Sequence, residues 1–376
     1  MSNVQPSVSV VIVTHNSLSY LSRCLAALRK QKVQLELIIV DNASRVEERP
    51  YFSAEDKGEV IFNARNRGFA PAVNQGVKKA SAPYVLLLNP DVFLADDALA
   101  HLLTFLESRS DAAAVSPRVW WDVEQTALLP LTEVPTLSHI LVRSIAQRWR
   151  IVRAIYDRWK ISQARHGWFA HEAFAVPAIL GGCVLIPLRV LERIGPFDPQ
   201  FPFYYEEVEW SLRARRQGYR LFIVPAAEAV HSFGHSRKGS RRVERWTAVS
   251  GRRYWRMRYG KLGARLVAGI VAHSVMPHFI QIDDLGEQAE PFTLGWGAST
   301  SPQVLEVAFD PLFSSTVAIF PVGREFRFPD ALWREMPPAT YYARLLCGSA
   351  LRPTRYWRWR CVPEPGVRRE REFSEE

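Results

Sequence analysis

Tyr84-Val85-Leu86-Leu87-Leu88-Asn89-Pro90-Asp91 is an apolar run that ends abruptly in an Asn-Pro-Asp turn. A run with no polar interruption reads as a strand buried on both faces, as in a parallel sheet. Pro90 stops it, because proline donates no backbone hydrogen bond and cannot continue a central strand. Asp91 then stands just past the carboxyl end of the strand, where open α/β sheets bind their ligands. A carboxylate there can hold a hard cation against a diphosphate. Asn, Pro and Asp also favour ordinary turns, and on the octapeptide alone the turn is the favoured reading.

The segments around this strand alternate in the same manner. Residues 7–14 read as a strand from their β-branched content, and Asn16-Ser17 offers an N-cap for a helix over 18–31. Leu18, Leu21, Leu25 and Leu28 give that helix one apolar stripe. Strands at Leu35–Val40 and Val60–Asn63 follow, with a helix over Phe69–Ala80. After the opening strand comes a helix through Leu99–Leu106, with Asp96 and Asp97 placed in its first turn to favour the helix dipole. This rhythm implies a doubly wound α/β domain.

Residues 120–172 hold Trp120, Trp121, Trp149, Trp159 and Trp168 with many basic residues and no clear strand, and read as a helical insertion or flap over a cleft. The α/β pattern resumes at Ala178–Pro187, a helix is expected over Tyr204–Gln217, and a strand over Arg220–Val224 leads to His231. A basic, Trp-rich helical segment (241–282) and a small β-rich module (283–376) complete the expected organisation after an α/β domain over 1–240. The run Leu266–Ile282 falls short of the ~20 strongly apolar residues needed to span a bilayer.

Hydrophobic content of 48% and charged content of 23% belong to a globular protein. Cys24, Cys183, Cys347 and Cys361 form neither a zinc-ligand pattern nor a disulfide framework, which fits a reduced, cytoplasmic setting, and no secretory signal is visible. The net charge of +10 calls for a negative partner: nucleic acid, anionic lipid or a phosphorylated substrate. Arg241-Arg242, Arg245, Arg252-Arg253, Arg256, Arg258 and Lys261, interleaved with Trp246, Tyr254, Trp255 and Tyr259, suit a nucleic-acid surface or an interfacial helix. A solvated helix face is the simplest alternative. No nucleic-acid-binding motif accompanies them.

Four polar points fall at strand ends: His15-Asn16, Asp41, Asp91 and His231. Such ends converge on one edge of a doubly wound sheet. Asp41 can accept a base N–H or a ribose hydroxyl, or close an Asx-turn. Asp91 with His231 can complete a divalent metal site beside diphosphate oxygens. Glu206, Glu207 and Glu209 are either dipole complements at a helix start or, in a partly buried cleft, like charges that raise one another's pKa and supply a general base.

The order of these motifs resembles glycosyltransferase family 2 with its GT-A fold, most densely the bacterial rhamnosyltransferase-like branch. Val10–Asn16 is similar to the family's opening strand and nucleotide-contacting turn, and Val40–Ser44 to its base-binding segment. Asn66-Arg67-Gly68-Phe69-Ala70 with Asn74-Gln75-Gly76 resembles the segment meeting the sugar nucleotide. Leu88–Asp91 takes the place of the metal-binding DxD motif. Gly181-Gly182-Cys183, Gly195–Asp198, Tyr205–Glu209 and Arg213 follow the acceptor-side pattern. His231, with Gly234 and Ser236 behind it, matches the third metal ligand and the closing loop. The resemblance covers roughly residues 7–240. It departs from the family at Asn89, which stands where DxD has its first aspartate, at Glu207, which replaces an aspartate base, and at Trp210, where an aliphatic residue is usual.

The resemblance implies an inverting transfer from a nucleoside diphosphate sugar, preferably dTDP-rhamnose, to a glycan or lipid-diphosphate-linked acceptor in bacterial cell-surface polysaccharide synthesis. It implies Mg2+ or Mn2+ on Asp91 and His231, Glu207 as base, and Asp198 and Glu206 as acceptor-orienting groups. Thr14, His15, Asn16, Asp41, Asn66, Gly68, Asn74 and Asn89 would line the donor site. Peripheral association with the anionic inner face of the cell membrane would follow, with oligomer contact or acceptor binding both open for 283–376. The rival reading is an inactive descendant that keeps the sugar-nucleotide pocket as a binding or scaffolding site. Nucleic-acid binding ranks below both, and a nucleotidyltransferase lacks its expected Gly-rich loop at His15-Asn16-Ser17-Leu18.

Overall fold

The computed structural model describes residues 6–54, 58–179, 181–232, 241–273, 280–297 and 302–363. The N-terminal half runs β1 (Val8–Thr14), α1 (Leu18–Arg29), β2 (Leu35–Asp41), α2 (Arg49–Ala54), β3 (Glu59–Phe62), α3 (Phe69–Val77), β4 (Tyr84–Leu88), β5 (Val92–Leu94), α4 (Ala98–Ser108) and β6 (Ala112–Trp120). The opening octapeptide is β4, which pairs parallel with β1 and antiparallel with β9 (Cys183–Pro187). Its pleat sends alternate residues to opposite faces. Leu86 and Leu88 join a core with α1 and α4, while Val85 and Leu87 join a second core with α3 and the segment 176–214. Burial on both faces explains the unbroken apolar run.

Three local expectations change. The first two concern helix N-termini. Ser17 occupies the N-cap of α1 without a side-chain cap, its hydroxyl donating instead to the His15 carbonyl. A carboxylate does serve that helix end, but it comes from Glu48, bonded to the Leu18 and Ser17 backbone. Asp96 and Asp97 fall before the first turn of α4 and face Lys30 and Lys32 at 3.8 and 3.1 Å. Third, Ala112–Trp120, where no strand was expected, is a nine-residue strand, because alanines pack where bulkier strand formers would not.

The segment 120–172 contains β7 (Ala127–Leu128), then α5 (Leu137–Ala146) and α6 (Arg150–Phe169). Two residues of β7 suffice to join the sheet: they pair with β6 on one side and with β14 (Thr316–Ile319) on the other. The chain continues through β8 (Phe174–Val176), β9, α7 (Leu188–Ile194), α8 (Glu206–Arg216) and β10 (Arg220–His231). β10 extends well past Val224, pairing parallel with β6 across a bulge and antiparallel with β5 at His231↔Val92.

α9 (Arg241–Ala272) is a pair of helices meeting at a kink at Gly260, whose φ of 69° lies in the left-handed region, where two segments were expected over 241–282. Pro277 and His278, like Gly234, Ser236, Arg237 and Lys238, lie outside the described residues. The C-terminal strands are β11 (Asp283–Gln288), β12 (Thr293–Gly295), β13 (Gln303–Ala308), β14, β15 (Glu325–Arg327), β16 (Ala339–Cys347) and β17 (Arg352–Cys361), with α10 (Asp330–Glu335) before β16. β11, β13, β14, β16 and β17 continue the main sheet in the order β11-β17-β16-β13-β14-β7-β6-β9-β4-β1-β2-β3, while β12 and β15 pair with each other in a separate two-stranded sheet. Behind them Trp121, Trp333, Tyr341 and Trp359 build a separate aromatic core.

α6 is clamped to these strands by buried charge. Arg344, with no exposed surface, donates to Glu306 at 2.5 Å and to Asp157 at 2.8 Å. Asp157 also accepts from Arg153 at 2.7 Å, Glu306 from the Thr316 hydroxyl at 2.7 Å, and Lys160 donates to the Phe313 carbonyl at 2.5 Å. The carboxylates and guanidiniums neutralise one another out of reach of water.

Candidate active site

The strand ends bring Asp91 and His231 together. Pro90 ends β4, the Asn89 carbonyl accepts from Val92 N–H in a tight turn, and Ser232 N–H donates to the Asp91 carbonyl. The antiparallel β5–β10 pairing then holds His231 Nε2 3.4 Å from Asp91 Oδ1, with both side chains mostly buried.

Gly181-Gly182 joins this pair to Glu207. A methyl at Gly182 would sit 3.3 Å from His231 Cε1, and one at Gly181 would sit 3.6 Å from Glu207 Cγ. Gly182 is also tied to the turn, its carbonyl accepting from Asn89 N–H at 2.9 Å. A dipeptide without side chains thus lies between the carboxylate–imidazole pair and the glutamate.

α8 presents Glu206 and Glu207 in its first turn, entered through Tyr204 and Tyr205, both with positive φ. Glu206 is buried. Burial, then the neighbouring charge of Glu207, holds its carboxyl well above the usual range. Burial also raises Glu207, opposed by the Glu207 and Val208 backbone and by a hydrogen bond from Glu206. The pair therefore keeps a proton on Glu206, which donates it toward Glu207. Trp210 locks the same helix in place: its indole N–H donates to the Gly195 carbonyl and its ring stacks on Phe197.

Several residues expected to touch substrate are committed to the scaffold. Asp41 is fully buried; Oδ1 accepts from Ser44 N–H at 2.9 Å and Oδ2 pairs with Arg49 at 3.1 Å, the turn-closing alternative. Asn74 bonds both the carbonyl and the N–H of Phe197. Asn66 Oδ1 accepts from Asn42 and from Gly68 N–H. Gly68 (φ 90°) approaches Pro202 so closely that a methyl would lie 2.7 Å from its carbonyl oxygen. Asp198 accepts from Gln200 N–H and from Arg253 of α9 at 2.6 Å, with some of its surface still exposed.

At the end of β1 the arrangement is more open to a ligand. Asn16 (φ 52°) is pinned to the 42–45 loop through Ser44 and Arg45. Thr14 Oγ1 and His15 Nδ1 are buried with no hydrogen-bond partner among the described residues. Burial and the Arg242 charge lower the His15 pKa against the opposing pull of the Ala43 and Asn42 carbonyls and of Asp41, so the ring is neutral at pH 7. In the sequence Arg242 and Arg253 stand out only as members of a basic run. No local pattern ties them to partners more than fifty residues away.

A hard cation fits Asp91 and His231 as one carboxylate and one imidazole, leaving most of its coordination to phosphate oxygens. Among the described residues no group of three His, Cys, Asp or Glu side chains is placed to hold a metal unaided.

Residues 9–162 match the family model described as Glycosyl transferase family 2. The chain is 24% identical over 256 residues to Rhamnosyltransferase WbbL of Escherichia coli, covering 66% of this chain and 92% of that protein. It is 24% identical over 256 residues to an N-acetylglucosaminyl-diphospho-decaprenol L-rhamnosyltransferase of Mycobacterium tuberculosis, covering 63% and 78%. A low-salt glycan biosynthesis hexosyltransferase of Haloferax volcanii is 27% identical over 201 residues, 52% of this chain and 59% of that protein. Residues 9–162 thus resemble glycosyl transferase family 2 within a mixed α/β sheet, and the chain is rhamnosyltransferase-like in sequence.

Proposed function

We propose that the protein is an inverting, metal-dependent glycosyltransferase that moves a sugar, preferably rhamnose from dTDP-rhamnose, to a glycan or lipid-diphosphate-linked acceptor in cell-surface polysaccharide synthesis. The observation that carries this reading is the placement of Glu207 and the Asp91–His231 pair on either side of Gly181-Gly182. Glu207 accepts the proton of the acceptor hydroxyl, whose oxygen attacks the anomeric carbon opposite the leaving diphosphate. Glu206 keeps its proton and donates a hydrogen bond, which opposes the upward pull of burial on the Glu207 carboxyl and aims it. Asp91 and His231 would hold Mg2+ or Mn2+, which when bound neutralises charge on the departing diphosphate. Thr14 and His15 offer hydrogen bonds to the nucleotide. Asp41, Asn66, Gly68 and Asn74 shape its pocket from behind, and Asn89 serves through its backbone.

Acceptors carried on lipid would place the work at a membrane surface. Among the described residues no helix is long and apolar enough to cross one.

The test is a thermal-shift screen of sugar nucleotides with and without Mn2+, followed by transfer assays with the stabilising donor. Glu207→Gln should bind that donor normally and lose about 100-fold or more in transfer, the range for a general base. Transfer by that variant at the wild-type rate would remove Glu207 from the chemistry. Donor binding with neither transfer nor hydrolysis in the wild type would favour the scaffolding reading.

A further inference from the structure

α6 buries charge alongside Tyr156, Ile161 and Trp168 and exposes apolar side chains alongside arginines. Its buried face carries Arg153, Asp157 and Lys160, at 4%, 4% and 7% exposure. Its outer face carries Ile151, Ile155 and Trp159, spaced four residues apart and 77%, 64% and 50% exposed. A helix bordering water shows the reverse arrangement. Trp149, at the turn between α5 and α6, is 65% exposed, and Ile145 of α5 adds to the same apolar population. An exposed apolar patch of this extent marks a contact with something other than water.

The charge around it narrows the choice. Between residues 137 and 169 the only acid is Asp157, buried and paired with Arg153 and Arg344. Arg148, Arg150, Arg158 and Arg165 are all exposed. Apolar and aromatic side chains rimmed mainly by cations, with Glu133 beside His139 and Lys160 the acid nearest them, match an anionic bilayer surface, where acyl chains take the former and phosphate headgroups the latter. A second copy of this chain is a poor occupant, because a two-fold contact would set the same arginines against each other.

The basic helix α9 has a different character. Tyr254 and Trp255 are buried against α8 and the 134–140 segment, Arg253 pairs with Asp198, and Arg258 lies over Tyr254. Of its aromatic residues Tyr254 and Trp255 face inward and Trp246 and Tyr259 are half-buried, while the apolar side chains it exposes, Met257, Leu262 and Leu266 among them, are aliphatic.

We propose that the α5–α6 hairpin docks the protein on an anionic membrane, seating Ile151, Ile155, Trp149 and Trp159 at the headgroup–acyl boundary. This does not rest on the glycosyl-transfer reading. The test is flotation of the full chain with vesicles made of equal parts phosphatidylglycerol and phosphatidylcholine. The wild type should float at low salt, and less with phosphatidylcholine alone. Ile151→Ser/Ile155→Ser should reduce the bound fraction about tenfold or more with no loss of thermal stability, since both side chains are exposed. Arg252→Gln/Arg256→Gln on α9 should reduce binding much less. The proposal is overturned if the wild type does not float, or if the double serine variant floats like the wild type. It is equally overturned if that variant turns a dimer into a monomer while vesicle binding is unchanged.

Discussion

Arg344→Met takes one cation out of a cluster that water cannot refill. Arg344 and Arg153 face Glu306 and Asp157, with buried Lys160 close by, and the substitution strips Glu306 of its ion-pair partner and Asp157 of one of its two. Glu306 would keep only the Thr316 hydroxyl among its side-chain partners, and Asp157 only Arg153. Methionine fills much of the arginine's volume, so the cost is electrostatic rather than a cavity. Removing one partner of a buried ion pair costs about 3–5 kcal/mol. At about 2–4 °C per kcal/mol for a large domain, the melting temperature should fall by roughly 6–20 °C. Urea unfolding of wild type, Arg344→Met, Glu306→Leu and Arg344→Met/Glu306→Leu gives the coupling directly. The double variant should recover most of the loss, because Asp157 keeps Arg153 and no orphan charge remains. A single variant within about 1 kcal/mol of wild type, or a double variant as unstable as the two singles summed, would refute this account. The effect also has a pH signature. Burial pushes the Asp157 carboxyl up, but Arg344 and Arg153 more than offset this and hold it below its ordinary 3.8. Its contribution is therefore full above 3.8 and fades as pH falls through the lower folded value.

Three further expectations address the site. Asp91→Ala should abolish the extra thermal stabilisation that Mn2+ gives a bound nucleoside diphosphate, weakening the metal-dependent part by about tenfold or more; an unchanged Mn2+ response would move the cation elsewhere. Glu206→Gln should keep transfer activity, and its stability advantage over wild type should grow as pH rises above 4.5. The folded wild type there holds a proton that the unfolded chain releases, so its own stability declines across that window. A pH-independent difference in melting temperature would contradict a protonated Glu206. Gly68→Ala should lose about 1–3 kcal/mol from backbone strain alone, plus the cost of moving Pro202, measured by urea denaturation. An alanine variant as stable as wild type would mean the loop adapts freely.

The strands of the first half were legible because a strand buried on both faces leaves an unbroken apolar run, as in Val85–Leu88. Ala112–Trp120 was not, since alanine and proline weaken strand propensity and only pairing with β9 and β10 makes the segment extended. That Asp91 and His231 stand together was legible from their places at strand ends. The commitments of Asp41, Asn74 and Asp198 were not, for their partners Arg49, Phe197 and Arg253 are supplied by tertiary contacts that leave no spacing in the chain. α6 misleads a reader of amphipathic patterns for a related reason. Its apolar stripe is genuine, but Arg344 and Glu306, nearly two hundred and a hundred and fifty residues downstream, draw its charged face inward instead.

The two-residue strand Ala127–Leu128 has a practical consequence. It is the seam through which the C-terminal strands are stitched to the rest of the sheet. Cutting the chain after α9 would not release a tidy catalytic half. It would unzip that seam, expose the edge of the sheet beside Trp121 and Leu129, and offer raw backbone donors and acceptors to the next molecule. Shortened versions intended for crystals or assays should therefore clump, and the remedy is to keep the strands through Cys361 rather than to change the buffer.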